Sequence, residues 1–335
     1  MALFIQLKRE LKLKILRKNG KIQQLVQQAK LFMKSAIIGL GKIGRRVAIR
    51  LYTKSFDVHC YDRNEEAMHT LGTVQEYATE VSNSLNCFKT PYQAVWKMPK
   101  PRVVLLFVPA GNAVDEVIYC TELGLSPNDV IVDCGNSHYR HSIARAERLS
   151  KKGIGFLDAG FSGGLEGALQ GASITIGGEK EYFETAQPIL EAIAFKNGLH
   201  YLGKSGNGHY AKMVHNAIEY SLMQSYAEGL ELLSAKGIDL KKAVEAWRNG
   251  SVIRSWLLDL VSNALNGNLD DIEGQIGGGE TGRWAVEEAL KRKVPFGMAM
   301  QALNARNVSN DKENIAPKIV AALRKEFGGH EVKKK

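Results

Sequence analysis

The chain has 335 residues, of which 44% are hydrophobic and 24% are charged, so it can bury a sizeable core and its size favours two domains. No apolar run approaches the roughly 18 to 20 residues that cross a bilayer, which excludes a membrane-spanning helix. The four cysteines show neither CxxC spacing nor clustering with histidine, which indicates reduced thiols in a cytoplasmic protein.

The net charge of +10 is concentrated at the two ends of the chain. Residues 1–32 hold eight lysines and arginines against Glu10 alone, and three lysines close the sequence. The body between them is close to neutral, so a nucleic-acid partner is not supported. We predict that residues 1–32 are a basic, frayed extension, with Met33 as the true start. A membrane-surface or targeting helix stays open, although Glu10 fits a transit peptide poorly.

Organised sequence begins with Ser35–Ile38, an apolar run that predicts a buried strand and leads directly into a GxGxxG motif and the helix-like stretch Arg45–Lys54. The first glycine permits a tight turn, the second lets the backbone approach a pyrophosphate, and the third allows close helix–strand packing. This context predicts a dinucleotide site; a glycine turn without a ligand is the alternative. Its predicted cofactor contacts are Gly39, Gly41, Lys42, Ile43 and Gly44.

A second predicted strand, Asp57–Tyr61, ends in Asp62, which lies 18 residues after the last glycine of the motif. A carboxylate there accepts hydrogen bonds from the ribose hydroxyls of NAD and repels the 2′-phosphate of NADP. The neighbouring Arg63 can instead bind that phosphate, so the sequence predicts NAD as the preferred cofactor and leaves NADP possible.

Further strands alternate with helices. Arg102–Val108 and Val130–Asp133 read as buried parallel strands, and the turns after them should border the cofactor through Val108, Pro109 and Asn136.

A short strand at Phe156–Asp158 leads into Ser162-Gly163-Gly164, where a hydroxyl and exposed backbone N–H groups could seat a carboxylate; a flexible loop is the alternative reading. Ser173–Gly177 and His200–Leu202 extend the sheet. The sequence therefore predicts a Rossmann-type, doubly wound sheet over residues 33–205.

From Asn207 onward the pattern is helical, so residues 206–335 are predicted to form an all-helical domain. Its first helix runs to Lys236 and is closed by Gly237. Four more helices are predicted, at Leu240–Asn249, Ser255–Ala264, Arg283–Lys291 and Ile315–Phe327.

The first helix carries Lys212, His215, Asn216 and Glu219 at spacing i, i+3, i+4, i+7, which places them on one face. A polar stripe where a core stripe would be apolar indicates half of an interdomain cleft; a solvated helix face is the alternative.

Several motifs together resemble the decarboxylating 6-phosphogluconate dehydrogenases, and specifically their shorter, NAD-preferring branch. The resemblance covers essentially everything after Met33, and KMVHNAIEY with an upstream SGG is its most specific part. The matching motifs are GLGKIG at 39–44, CGNSHY at 134–139, FLDAGFSGG at 156–164, GNGHYAKMVHNAIEY at 206–220, GSVIRSWLL at 250–258, GETGRW at 279–284 and FGGH at 327–330.

The resemblance implies a division of catalytic roles. Lys212 would be the base that takes the proton from the 3-hydroxyl of 6-phosphogluconate, Glu219 the acid that protonates the enediol after CO₂ is lost, and Asn216 the group that fixes the hydroxyl. No metal would take part.

The resemblance also implies two sets of substrate contacts. Contacts to the carboxylate and hydroxyls would come from Ser162, Gly163, Gly164, His215 and Asn136. Contacts to the phosphate would come from Tyr220, Arg283 and Arg306, with Arg324 and His330 supplied by a neighbouring subunit of a homodimer or homotetramer.

Two other functions stay open at this stage. One is a non-decarboxylating 3-hydroxyacid or sugar-acid dehydrogenase of the same fold, and the other is a cofactor-binding protein without turnover. Glu219 speaks against the first, and Lys212 with Asn216 against the second. An unphosphorylated sugar acid also stays open as the substrate.

Overall fold

The computed structural model describes residues 34–69, 85–309 and 314–333. The predicted basic extension, residues 1–32, lies outside the described residues. In the described part of the chain, no helix combines the length and the apolar character that crossing a membrane requires.

Eight strands form one sheet in the order β3-β2-β1-β4-β5-β6-β7-β8, with β1 to β6 mutually parallel and β7 antiparallel to β6. This confirms the predicted doubly wound sheet. The strands are β1 (Lys34–Ile38), β2 (Asp57–Tyr61), β3 (Asn86–Cys87), β4 (Val103–Leu106), β5 (Val130–Asp133), β6 (Gly155–Ser162), β7 (Ala172–Gly177) and β8 (Ala194–Tyr201).

Helices cover both faces of this sheet, as its sequence requires, because alternate residues of the same apolar strands enter two separate cores. In β1, Ile37 belongs to one core and Ala36 and Ile38 to the other. The helices are α1 (Gly44–Thr53), α2 (Glu65–His69), α3 (Pro91–Trp96), α4 (Asn112–Glu122), α5 (Tyr139–Ser150), α6 (Gly164–Gln170) and α7 (Lys180–Ile193).

Strand β6 corrects one expectation. The sequence predicts a strand that stops at Asp158 and an irregular loop up to Gly164, whereas the strand continues to Ser162. The additional residues pair with the antiparallel neighbour, where Ser162 lies opposite Ser173, so tertiary pairing outweighs the weak strand propensity of two glycines.

The second part of the described chain is helical, as predicted. One helix was missed: Met298, Met300 and Val308 are exposed around Gly297–Asn307, so its apolar stripe is weak in the sequence. The helices are α8 (Asn207–Ala235), α9 (Leu240–Arg248), α10 (Trp256–Asn266), α11 (Glu280–Arg292), α12 (Gly297–Asn307) and α13 (Ile315–Gly328), with a 3₁₀ turn at Leu269–Asp271.

The start of α8 packs directly on the sheet, at two glycines. A Cβ at Gly160 of β6 would lie 2.8 Å from the Cβ of Lys212, and a Cβ at Gly208 would collide with the carbonyl of Asp158. The buried carboxylate of Asp158 accepts hydrogen bonds from the backbone N–H groups of Gly206 at 2.6 Å and His209 at 2.8 Å. These contacts fix the first turns of α8 against the strand.

Candidate active site

A cleft of about 1410 Å³ lies between the carboxyl ends of the sheet strands and the helical part of the chain. Typical small-molecule pockets measure about 300–1,000 Å³, so this cleft has room for a cofactor fragment and a second ligand together. Both parts of the chain line it, through Phe107, Val108 and Asn136 on one side and α8 on the other.

The glycine-rich loop between β1 and α1 has the geometry that its motif predicts. Gly39 has φ of +96°, and a Cβ there would collide with the carbonyl of Phe107. A Cβ at Gly44 would collide with the carbonyl of Gly39, whereas one at Gly41 would meet nothing within 4 Å. The loop is therefore tight at its ends and open at its middle glycine, as a pyrophosphate-binding loop requires.

Asp62 is tied to this loop, because its carboxylate accepts hydrogen bonds from the N–H of Leu40 at 2.6 Å and of Asn64 at 2.8 Å. Asp62 and the exposed Arg63 lie outside the cleft wall, which the loop reaches through Ile43. The ammonium of Lys42 points to the chain's carboxyl-terminal segment and donates to the carbonyl of Gly329 at 2.6 Å.

Of the other predicted cofactor contacts, Val108, Pro109 and Asn136 do line the cleft. The structure therefore brings together the strand-end turns that the sequence predicted to border the cofactor.

The polar stripe of α8 faces the cleft, and all four of its side chains line it. Burial lowers the pKa of Lys212 from its usual value to about 8, and the nearby Glu219 opposes this shift. About a tenth of Lys212 is therefore a neutral amine at pH 7, and the neutral amine is the form that accepts a proton.

Glu219, two turns further along, is shifted in the opposite sense. Burial raises the pKa of its carboxyl group, while the positive charges of Lys212, Arg306 and Arg324 oppose the rise. One buried face thus holds a base with a lowered pKa and an acid with a raised pKa, which is the pattern of an acid–base pair with separate roles.

His215 and Asn216 lie between these two groups on the helix face and contact each other and their neighbours. His215 Nε2 lies 3.2 Å from Ser162 Oγ, and its Nδ1 lies 3.3 Å from Asn216 Oδ1 and 3.7 Å from Glu219 Oε2. Burial is the main cause that lowers the pKa of His215, so its ring is neutral at pH 7. Ser162, Gly163 and Gly164 line the same cleft.

Thr281 is a cleft residue that the sequence did not single out. It accepts a hydrogen bond from Asn216 Nδ2 at 3.3 Å, and its hydroxyl lies 3.0 Å from the hydroxyl of Tyr220. Thr281 lies inside the motif GETGRW, which is the sequence signal for a site residue here. The prediction from that motif named only Arg283.

Arg283 was predicted to meet the substrate phosphate, and the structure does not bring it to the cleft. Its side chain is exposed and does not line the cleft, whereas Thr281 and Trp284 do. Because α11 begins at Glu280, residues 281 and 284 share one helix face and residue 283 is turned away from it.

Of the remaining predicted phosphate contacts, Tyr220 lines the cleft, whereas Arg306 does not line it and packs against Tyr220. Arg306 is buried and its guanidinium lies 3.7 Å from the centre of the Tyr220 ring. Arg324 and His330 line the cleft wall. In this single chain both line the same cleft as Lys212, and their supply by a neighbouring subunit stays a prediction.

A doubly wound sheet with an open glycine turn, joined to a helix that carries a low-pKa lysine, defines a dinucleotide-dependent dehydrogenase. Among the described residues no group of three or more histidine, cysteine, aspartate or glutamate side chains could hold a metal ion.

Comparison with known proteins identifies the family. Residues 34–203 match the NAD binding domain of 6-phosphogluconate dehydrogenase, and residues 208–334 match the 6-phosphogluconate dehydrogenase C-terminal domain. The chain belongs to the 6-phosphogluconate dehydrogenase family and is an NAD(P)-dependent oxidoreductase.

Individual relatives support the same family assignment. The NAD(+)-dependent, decarboxylating 6-phosphogluconate dehydrogenase of Haloferax volcanii is 38% identical over 310 residues, covering 90% of this chain and 99% of the relative. The solved 6-phosphogluconate dehydrogenase of Plasmodium falciparum superposes with a TM-score of 0.75 at 31% identity, over 84% of this chain and 63% of that one. A Mycobacterium tuberculosis 3-hydroxyisobutyrate dehydrogenase, at 18% identity and a TM-score of 0.67 over 88% of this chain and 99% of that one, shares the fold.

Proposed function

We propose that this protein converts 6-phosphogluconate to ribulose 5-phosphate and CO₂ with NAD as the preferred hydride acceptor. The observation that carries the proposal is the pairing, on one face of α8, of Lys212, whose pKa is lowered to about 8, with Glu219, whose pKa is raised. A dehydrogenase that stops at the ketone needs the base alone, and a decarboxylase also needs an acid to protonate the enediol.

In the first step, neutral Lys212 takes the proton from the 3-hydroxyl, and a nicotinamide bound in the cleft would supply the acceptor for the hydride that leaves C3. Burial prepares the lysine for this step, because it removes the water that would hold its proton. Asn216 lies one helical turn away on the same face and is placed to fix the hydroxyl.

In the second step the 3-keto acid loses CO₂, and the electrons left at C2 pass into the carbonyl to form an enediol. Glu219, whose pKa is raised by burial, gives a proton to C1. The Ser162–Gly164 segment and His215 bind the carboxylate and hydroxyls. Tyr220, Arg306, Arg324 and His330 bind the phosphate at the far end.

The residues present fit a dinucleotide. The open space at Gly41 leaves the backbone accessible to a pyrophosphate, and Asp62 presents a carboxylate where the ribose hydroxyls would lie. The preference for NAD rests on Asp62, and on the Haloferax volcanii relative, which is named NAD(+)-dependent. Arg63 is exposed beside it and leaves use of NADP open.

The domain division at residues 205 and 206 stays a proposal, supported by the end of β8 at Tyr201 and the start of α8 at Asn207. Assembly into a homodimer or homotetramer stays a proposal as well.

The deciding experiment incubates the protein with 6-phosphogluconate and either NAD or NADP, and measures NADH or NADPH together with released CO₂. We expect equimolar reduced cofactor and CO₂, with a higher kcat/KM for NAD. Reduced cofactor without CO₂ would instead establish a non-decarboxylating dehydrogenase. No turnover with any sugar acid, together with NAD binding, would establish a binding protein.

A further inference from the structure

The segment Phe327–His330, at the end of α13, crosses from the helical part of the chain to the glycine-rich loop. Its anchor is the ammonium of Lys42, which donates to the carbonyl of Gly329 at 2.6 Å, although the two residues lie 287 positions apart. Gly329 has φ of +61°, a left-handed conformation that ends α13 and turns this carbonyl outward. The dinucleotide loop therefore holds the chain's carboxyl-terminal segment directly.

The same segment contacts the substrate side of the cleft. The carbonyl of Phe327 packs on Gly164, where a Cβ would collide with it, and a Cβ at Gly329 would lie 3.1 Å from Leu165 in α6. Phe327, Gly328 and His330 line the cleft itself. One short stretch thus contacts the glycine-rich loop, the proposed carboxylate seat and the proposed phosphate end.

Lys42 also acts on His330 through its charge. Burial is the main cause that lowers the pKa of His330, and the positive charges of Arg324, Lys42 and Arg306 add to it. Lys42 therefore lies close enough to the His330 ring for its charge to affect the pKa of the ring. Its ammonium hydrogen-bonds to the backbone carbonyl of Gly329, one residue earlier.

We propose that Lys42 is a positioning residue that couples cofactor binding to sugar-phosphate binding, by holding the segment that carries His330. This proposal rests on the proposed function, because the proposed function identifies the cofactor and the sugar phosphate as the two ligands of the cleft.

The coupling follows from the geometry. A pyrophosphate on the N–H groups of the glycine-rich loop orders that loop and with it the backbone of Lys42. An ordered Lys42 holds Gly329, so His330 is already in place when the sugar phosphate arrives. The reverse holds by thermodynamic linkage: a sugar phosphate that fixes His330 fixes Gly329, and tightens cofactor binding by the same factor.

The test measures NADH binding by fluorescence titration with and without 6-phosphogluconate, a pair of ligands that cannot react because the cofactor is already reduced. We expect 6-phosphogluconate to tighten NADH binding by about tenfold in the unaltered protein. Lys42→Met should reduce this coupling to within about twofold, and Lys42→Arg, which keeps a charged donor, should restore most of it.

The matched control is Lys54→Met. Lys54 is exposed at the C-cap of α1, whereas Lys42 precedes its N-cap, so this substitution removes the same charge beside the same helix without touching Gly329. We expect full coupling in this variant. In steady-state kinetics at saturating NAD, Lys42→Met should raise KM for the sugar acid, whereas Lys54→Met should not.

A second readout is independent of the substrate. NADH alone should slow hydrogen–deuterium exchange at the amides of residues 327–333 in the unaltered protein and not in Lys42→Met. If both proteins bind both ligands and show equal coupling, or if coupling is negative, the inference is overturned. If the unaltered protein does not bind 6-phosphogluconate, the proposed function fails, and the exchange measurement still decides whether Lys42 transmits cofactor binding to the segment.

Discussion

The two walls of the cleft are built from different kinds of chemical group. The sheet wall presents a glycine turn and strand-end loops, where backbone shape decides what binds. The helical wall presents Lys212, His215 and Glu219, where protonation states decide what reacts. Substitutions in the first wall should therefore change cofactor binding, and substitutions in the second should change turnover and its pH dependence.

The strongest test of this contrast is Lys212→Met. Removing the base should lower kcat by about 10³-fold or more, because among the described residues no other lysine lines the cleft and could take the proton in its place. NAD affinity, measured by calorimetry, should stay within about twofold. A variant with near-normal turnover would show that Lys212 is not the base.

Glu219→Gln should be next in size and should separate the two chemical steps. The amide cannot give a proton to the enediol, so steady-state turnover should fall about 10²-fold. Hydride transfer should survive, so stopped-flow absorbance should show a burst of about one NADH per site. A burst that slows as much as turnover would place Glu219 in the first step.

Lys212→Met should also change stability in a pH-dependent way. The folded protein lowers the pKa of Lys212 from 10.5 to about 8, so the buried ammonium destabilises the fold fully below pH 8, and this cost disappears as pH rises to 10.5. The variant should be more stable at pH 7 by about 3 kcal/mol, or more than about a hundredfold in the unfolding constant, with no gain above pH 10.5. Urea unfolding at both pH values measures the difference, and an equal gain at both would refute this cause.

On the sheet wall, Asp62→Ala should shift cofactor preference and leave the chemistry intact. Removing the carboxylate that accepts from Leu40 and Asn64 takes away the repulsion of a 2′-phosphate, so the ratio of kcat/KM for NAD over NADP should fall about tenfold. An unchanged ratio would show that other groups set the cofactor preference. A changed pH–rate profile would show that a residue of the sheet wall also affects the chemical step, against the contrast between the two walls.

The smallest effect is expected from Thr281→Val, which keeps the shape and removes the hydroxyl that contacts Asn216 and Tyr220. Because these bonds orient side chains and do not react, KM for the sugar acid should rise about threefold with kcat nearly unchanged. Thr281→Ser should keep both values. A large fall in kcat would give Thr281 a direct part in the reaction.

The sheet and its cofactor loop could be predicted from sequence because local signals specify them. Apolar runs separated by glycine turns predicted β1, β2 and β5 within one residue of their observed bounds. The polar stripe of α8 was equally readable, because helical periodicity alone places its four residues on one face.

The rest of the site depends on which distant segments of the chain contact one another, and no local sequence pattern indicates those contacts. Arg283 seemed suited to a phosphate by its charge, but the first residue of α11 sets which side chains face the cleft, and this start lay three residues earlier than predicted. The segment with His330 reaches the cleft of its own chain through long-range contacts with Gly164 and Lys42, which the sequence does not encode as a pattern.

The glycine contact between β6 and α8 has a consequence for how the cleft can move. Gly160 and Gly208 bring α8 against the strand, and Asp158 accepts hydrogen bonds from N–H groups at its start. Lys212 is therefore held against the sheet although it belongs to the helical part of the chain. If the cleft opened and closed, Lys212 would move together with the sheet wall that binds the cofactor.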